Sequence, residues 1–186
     1  MKPLLVTGFQ PFGAHAVNPS EAVVRALEPG RALRTAVLPV AFRRAASRLQ
    51  QLLDAAPPRA IVLLGLHSGS EIRLERLARN RDEADATDED GETRAKQAIA
   101  ASGPDGYPST LPLGDLAREL SRRSLPWAWS DDAGGFLCNH VFYRARAWVE
   151  QAGPRIPCGF IHLPPLDVLP LERQLEAVTS CLALVG

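Results

Sequence analysis

The chain has 186 residues and a mass of 20.1 kDa, room for one ordinary domain with a real core and too little for two large ones. Hydrophobic residues make up 46% and charged residues 23%, a globular balance that disfavours both disorder and membrane spanning. Twenty-one basic residues offset 21 acidic ones, so the basic excess that nucleic-acid binding draws on is missing.

Along the chain, short apolar runs alternate with longer amphipathic stretches. Residues 3–7 read as a buried strand. Asn18-Pro19-Ser20-Glu21 is a helix start, with Asn as cap, Pro at the first helical position and Glu at the third; Pro29-Gly30 stops it. Residues 34–40 read as a second strand and 41–55 as a helix with Phe42, Ala45, Leu49 and Leu52 on one face. Residues 60–64 form the clearest buried strand, ended by Gly65, and 72–77 alternate like an exposed-edge strand. From Asn80 to Tyr107 the pattern dissolves into acidic and small residues, which predicts a lid or mobile loop. A helix over 112–123, a short strand over 127–130, a helix from Phe136 or Cys138 to Gln151, a strand over 157–163 and a closing helix over 169–184 complete the order. The predicted fold is α/β, a three-layer αβα sandwich around a central, mostly parallel twisted sheet, with residues 1–186 as one domain. Sites in such folds lie at the carboxyl ends of the strands.

Three cysteines, Cys138, Cys158 and Cys181, are too few and too scattered for a disulfide framework or a CxxC metal site. Their odd number leaves a free thiol, which suits a reducing compartment. Leu4-Leu5-Val6 is too short for a signal peptide or a membrane span, so the expectation is a soluble cytoplasmic protein.

Residues 131–140 carry the most chemistry. A Gly134-Gly135 turn sets Cys138 at or near a helix N-terminus, where free backbone N–H groups and the helix dipole favour thiolate and could hold an oxyanion. On the segment alone a small buried hydrophobe is the favoured reading of Cys138, and it prevails for Cys158 and Cys181 as well. His162 ends an apolar strand, broken by Pro164-Pro165, that follows the Cys138 helix. The topology therefore brings the two to one sheet edge, as a cysteine nucleophile and its imidazole base require. Taken singly, His162 reads rather as a hydrogen-bonded structural histidine; joined to Cys138 by topology, the two readings balance. His140 is a competing base whose place inside the helix favours packing. His15, His67 and His140 show no metal-binding spacing. Many carboxylates could orient the imidazole; Glu75 is one, although from the residues alone a solvated Glu–Arg pair is its preferred reading.

Thr7-Gly8-Phe9-Gln10-Pro11-Phe12-Gly13 followed by Asn18-Pro19-Ser20 resembles the opening motif of the pyroglutamyl peptidase I family. Glu75-Arg76-Leu77-Ala78-Arg79-Asn80, then Gly103-Pro104 with residues 107–112, resemble its next motifs. Residues 133–140 with Phe142-Tyr143 resemble its nucleophile segment, and residues 160–164 its histidine segment. The matches run in order over nearly the whole chain. The resemblance implies Cys138 as nucleophile, His162 as general base and acid, and Glu75 as the orienting carboxylate. It also implies removal of an N-terminal pyroglutamate through a thioester, without metal or cofactor. Phe9 and Phe12 would flank the lactam ring, with Leu137 and Asn18 beside them and Asn18 mainly a helix cap. The implied partner is a small peptide with a blocked N-terminus, with no nucleic acid and no membrane, and by analogy the assembly is a homo-oligomer, a dimer or tetramer.

Departures from the family pattern cluster near the expected site. Leu66 stands where a polar amide is usual, Ser70 and Asp85 stand for arginines, and Asp131-Asp132 precede the nucleophile turn. Acidic groups close to a thiolate would raise its pKa. Two alternatives follow: the same triad acting on another N-acyl or lactam-like amide, or a non-catalytic binding relative whose residues 82–92 form an interaction surface.

Overall fold

A computed structural model describes residues 2–13, 16–153 and 155–185; His15 lies outside them. Strand β1 (Leu4–Phe9) leads into helix α1 (Pro19–Ala26), whose start follows the sequence closely. The Asn18 side chain accepts the backbone N–H of Ser20 at 3.0 Å, satisfying an amide the helix itself leaves free. Strand β2 (Leu33–Leu38), helix α2 (Phe42–Ala55) and strand β3 (Ala60–Leu66) follow; β3 continues past Gly65. Phe42, Ala45, Leu49 and Leu52 are buried on α2, as their spacing predicts.

Next come β4 (Ile72–Glu75), β5 (Leu77–Arg79) and β6 (Gly106–Pro108), then α3 (Leu113–Arg122) and β7 (Trp127–Ser130). Helix α4 (Leu137–Ala152), β8 (Cys158–Leu163) and α5 (Leu171–Leu182) close the chain. Six strands form one sheet in the order β2-β1-β3-β8-β4-β7, and β5 pairs with β6 in a small antiparallel ribbon. Neighbours in the large sheet are parallel except β4 and β8.

Alternate strand residues feed two cores. Leu4, Val6, Val62 and Ile161 pack with α1, α3 and α5 on one face. Leu5, Ile61, Leu63 and Phe160 pack with α2 and α4 on the other. The layers are therefore helix, sheet, helix, as expected.

Two local expectations change. Residues 72–75 are not an exposed edge: β4 lies between β8 and β7, with Ile72, Leu74 and Glu75 buried, and β7 is the edge. The 80–107 segment is long but pinned. Asp88 accepts the N–H groups of Phe42 (2.8 Å), Asp90 and Glu92, so it caps α2 where Ala41 offers no side chain. Glu89 and Asp90 pair with Arg44, and Glu92 with Arg43 and Arg94. Polar side chains hold this loop, and they carry no hydrophobic period to read.

Candidate active site

Cross-strand register assembles the site on the α4 side of the sheet. Gly65 on β3 faces His162 on β8, and Phe160, two residues back, faces Glu75 on β4. Glu75 and His162 are thus diagonal neighbours on one face, within reach of long side chains. Glu75 Oε1 lies 2.7 Å from His162 Nδ1. Glu75 is fully buried and His162 nearly so, and Glu75 Oε2 has no partner. Glu75 does not form the surface pair with its neighbour, because Arg76 turns to Asp131.

Cys138 occupies the first turn of α4, partly exposed, with Phe136 as the cap residue. No side chain caps this helix, so its first amides remain open to an anion. The thiol sits over Gly65: a Cβ added there would meet Cys138 Sγ at 2.8 Å and Phe160 Cζ at 2.7 Å. Gly65 therefore opens the space that the sulfur fills. The preceding turn is held as tightly. Glu83 N–H donates to Gly135 O at 2.8 Å, and a Cβ on Gly135 would lie 1.9 Å from Glu83 O.

Electrostatics bind the three groups together. Burial alone would lower the His162 pKa, but the charge and hydrogen bond of Cys138, and then those of Glu75, push it up to about 9. Cys138 and Glu75 thus both favour the charged form of His162. Burial instead pushes the Cys158 and Cys181 thiols up to about 12. Asp131 and Asp132, which threatened the thiolate from the sequence, are exposed and paired with Arg76 and Arg79. The Arg76 hydrogen bond holds Asp131 below the usual carboxylate range. Asp85 is exposed as well.

A pocket of about 110 Å³ opens beside the thiol at the carboxyl ends of β1 and β3, where the strand order reverses. Phe9, Phe12, Asn18 and Leu137 line it together with Val40, Leu66 and Phe136. Phe12 leans on Phe136 with ring centroids 5.1 Å apart, which fixes one wall. Asn18 is largely occupied: besides capping α1 it accepts from Ser20 Oγ and donates to Gln10 O.

Other residues support the site without a sequence signal that marks them. His140 is buried, as its helical position suggests, and its Nδ1 lies 2.9 Å from Asp82 Oδ2. Arg94 joins the same carboxylate at 2.7 Å and lies 4.2 Å over the Phe42 ring. Asn139 clasps residues 79–81, donating to Arg79 O and Arg81 O and accepting from Arg79 N–H. His67 packs edge-on against His162 at 5.8 Å between centroids. Its Nδ1 accepts the Gly69 N–H, so Nε2 carries the hydrogen and donates to Glu71 O at 2.6 Å. Burial keeps His67 below the usual histidine range, making it a neutral neighbour.

Known proteins resemble this chain in sequence and in fold. The profile of the family described as pyroglutamyl peptidase matches residues 2–180. A pyrrolidone-carboxylate peptidase of Oceanobacillus iheyensis is 38% identical over 182 residues, covering 95% of this chain and 91% of its own. The pyrrolidone carboxyl peptidase structure from Thermococcus litoralis superposes with a TM-score of 0.93 at 29% identity, covering 100% of this chain and 93% of its own. Pyroglutamyl peptidase I of Bacillus amyloliquefaciens gives 0.90 at 32% identity, with coverages of 100% and 97%. A profile that spans almost every residue, with relatives alike at full length, leaves one assignment: the chain belongs to the pyroglutamyl peptidase family.

Proposed function

We propose that this chain is a cysteine peptidase that removes pyroglutamate from the N-terminus of peptides, with Cys138, His162 and Glu75 as its catalytic residues. The observation that carries the reading is the Glu75–His162 hydrogen bond, with the Cys138 sulfur seated over Gly65, the strand partner of His162, at the mouth of a small aromatic pocket. A flat, neutral five-membered ring suits such a pocket, since aromatic faces give it contact area.

In the first half-reaction the Cys138 thiolate attacks the pyroglutamyl carbonyl carbon, forming the S–C bond as the carbonyl electrons move to oxygen. The open amides at the start of α4 stabilise that oxyanion. Its collapse breaks the C–N bond, and the leaving amine takes its proton from His162. In the second half, His162 removes a proton from water, which attacks the thioester. Pyroglutamate leaves, and Cys138 and the imidazolium are restored. Glu75 keeps the ring oriented and favours its charged form throughout.

None of these steps draws on a metal or cofactor. Among the described residues no helix is long and apolar enough to cross a membrane. We read residues 1–186 as a single hydrolase domain acting in the cytoplasm on short peptides, as a dimer or tetramer that sedimentation would resolve. The activity is tested with a peptide beginning in pyroglutamate and the same peptide beginning in glutamate, followed by mass spectrometry. Only the first should lose its leading residue; loss from neither, or equally from both, would refute the assignment.

A further inference from the structure

The open amides at the start of α4 are those of Phe136, Leu137, Cys138 and Asn139, and they follow the Gly134-Gly135 turn. Paired glycines are the softest backbone a chain offers, and Gly134 sits at φ +83°, so the turn alone would aim those amides loosely. Residues 79–83 hold them at both ends. Ahead of the amides, Glu83 N–H donates to Gly135 O at 2.8 Å. At their far end the Asn139 side chain clasps Arg79 and Arg81, and Asp82 Oδ2 lies 2.9 Å from His140 Nδ1.

The Gly135 contact sets a direction. A peptide is planar and trans, so a carbonyl turned to Glu83 turns the Phe136 N–H to the opposite side. Gly135 is needed there for space: unlike Gly134 it keeps a φ open to any residue, yet a Cβ on it would lie 1.9 Å from Glu83 O. The segment is itself braced, since Asp82 exchanges two backbone hydrogen bonds of 2.9 Å with Gln97, and its buried carboxylate holds Arg94 at 2.7 Å. None of residues 79–83 lines the acyl pocket. We propose that residues 79–83 are a positioning strap for the oxyanion amides, with the Glu83 N–H as its grip and Asp82 as its anchor, so that loosening either lowers kcat and leaves ring binding intact. The inference rests on the catalytic reading above.

The test measures kcat and KM on a pyroglutamyl amide for the native chain, Gly135→Ala, Asp82→Ala and Asp82→Asn, with two inhibitors that separate aim from binding. Pyroglutamyl aldehyde bonds its carbonyl carbon to the Cys138 sulfur; the carbonyl electrons move to oxygen at the oxyanion position, and His162 supplies its proton. The ring alone, as 2-pyrrolidone, reports the pocket. Gly135→Ala should lower kcat about 10²–10³-fold, the worth of one oxyanion donor, and raise the aldehyde Ki by a similar factor. Its KM and 2-pyrrolidone Ki should stay within about threefold of the native values. Asp82→Ala should lower kcat at least about tenfold with the same split, and Asp82→Asn, which still offers His140 an oxygen, should lose less. A folded Gly135→Ala protein with kcat within about threefold of native would overturn the grip, and equal weakening of both inhibitors would overturn positioning in favour of a collapsed pocket. If Gly135→Ala does not fold, the Asp82 variants decide by the same split, and an Asn variant as impaired as the Ala variant would remove Asp82 from the role. A native chain that turns over no amide would instead bring down the catalytic reading itself.

Discussion

Replacing Gly65 with alanine probes the seating of the sulfur most sharply. The new methyl would lie 2.8 Å from Cys138 Sγ and 2.7 Å from Phe160 Cζ, while ordinary contact begins at 3.4 Å. The sulfur would have to retreat by 0.6 Å and the ring by 0.7 Å. Phe160 has little freedom, being fully buried between His162 and Phe142 with centroids 4.7 and 5.9 Å away. The strain therefore falls on the sulfur and on its place beside His162, the strand partner of Gly65. A displacement of about 1 Å in a reacting group costs on the order of 10²-fold in rate, so kcat should fall roughly 10- to 100-fold. Overpacking should also destabilise the chain by about 1–3 kcal/mol, or roughly 2–12 °C in Tm at this size. The assay is saturation kinetics on a pyroglutamyl amide beside thermal unfolding. A folded Gly65→Ala protein with kcat within twofold of the native value would show that the sulfur is not seated where the mechanism needs it.

Three further outcomes follow from the buried groups. Because the His162 pKa is raised to about 9, kcat/KM should fall as pH climbs past that value and the leaving amine loses its proton source; a profile flat to pH 10.5 would contradict this. The linked stability has the same sign. It is complete below the ordinary histidine pKa of 6.5 and lost as pH rises through about 9, so the urea midpoint should drop over that window more in the native chain than in His162→Gln. Iodoacetamide at neutral pH should label Cys138 alone, since burial holds Cys158 and Cys181 near 12; labelling of all three in the folded protein would refute that. Asp82→Ala strands His140 and leaves Arg94 with Glu92 only, and should cost about 3 kcal/mol by denaturant unfolding; a change under about 1 kcal/mol would show that the cluster holds nothing.

The sequence makes some of this visible and hides the rest for identifiable reasons. Asn18-Pro19 marks a helix start because capping is local chemistry, and the α2 face can be read because its burial repeats with the helical period. The pairing of Cys138 with His162 follows from chain order: a helix start and the end of the next strand meet at one sheet edge. Glu75 is harder. Its choice among many carboxylates depends on an antiparallel register with β8 that no local pattern records, and its short strand reads as an edge although it lies inside the sheet. The Asp88 cap on Phe42 and the Asp82–His140–Arg94 cluster are invisible for a related reason, since these contacts span 12–58 positions and polar contacts carry no period. Gly65 resembles a strand terminator until the sulfur above it is seen.

The central claim is that the Cys138 sulfur attacks the pyroglutamyl carbonyl. Its most direct test is fluorophore release from a pyroglutamyl amide under reducing conditions, by the native chain and by Cys138→Ala with its fold checked by circular dichroism. The account predicts turnover in the native chain and a loss of at least about 10³-fold in the variant, leaving what the helix amides and binding supply alone. Equal release by both proteins would contradict it.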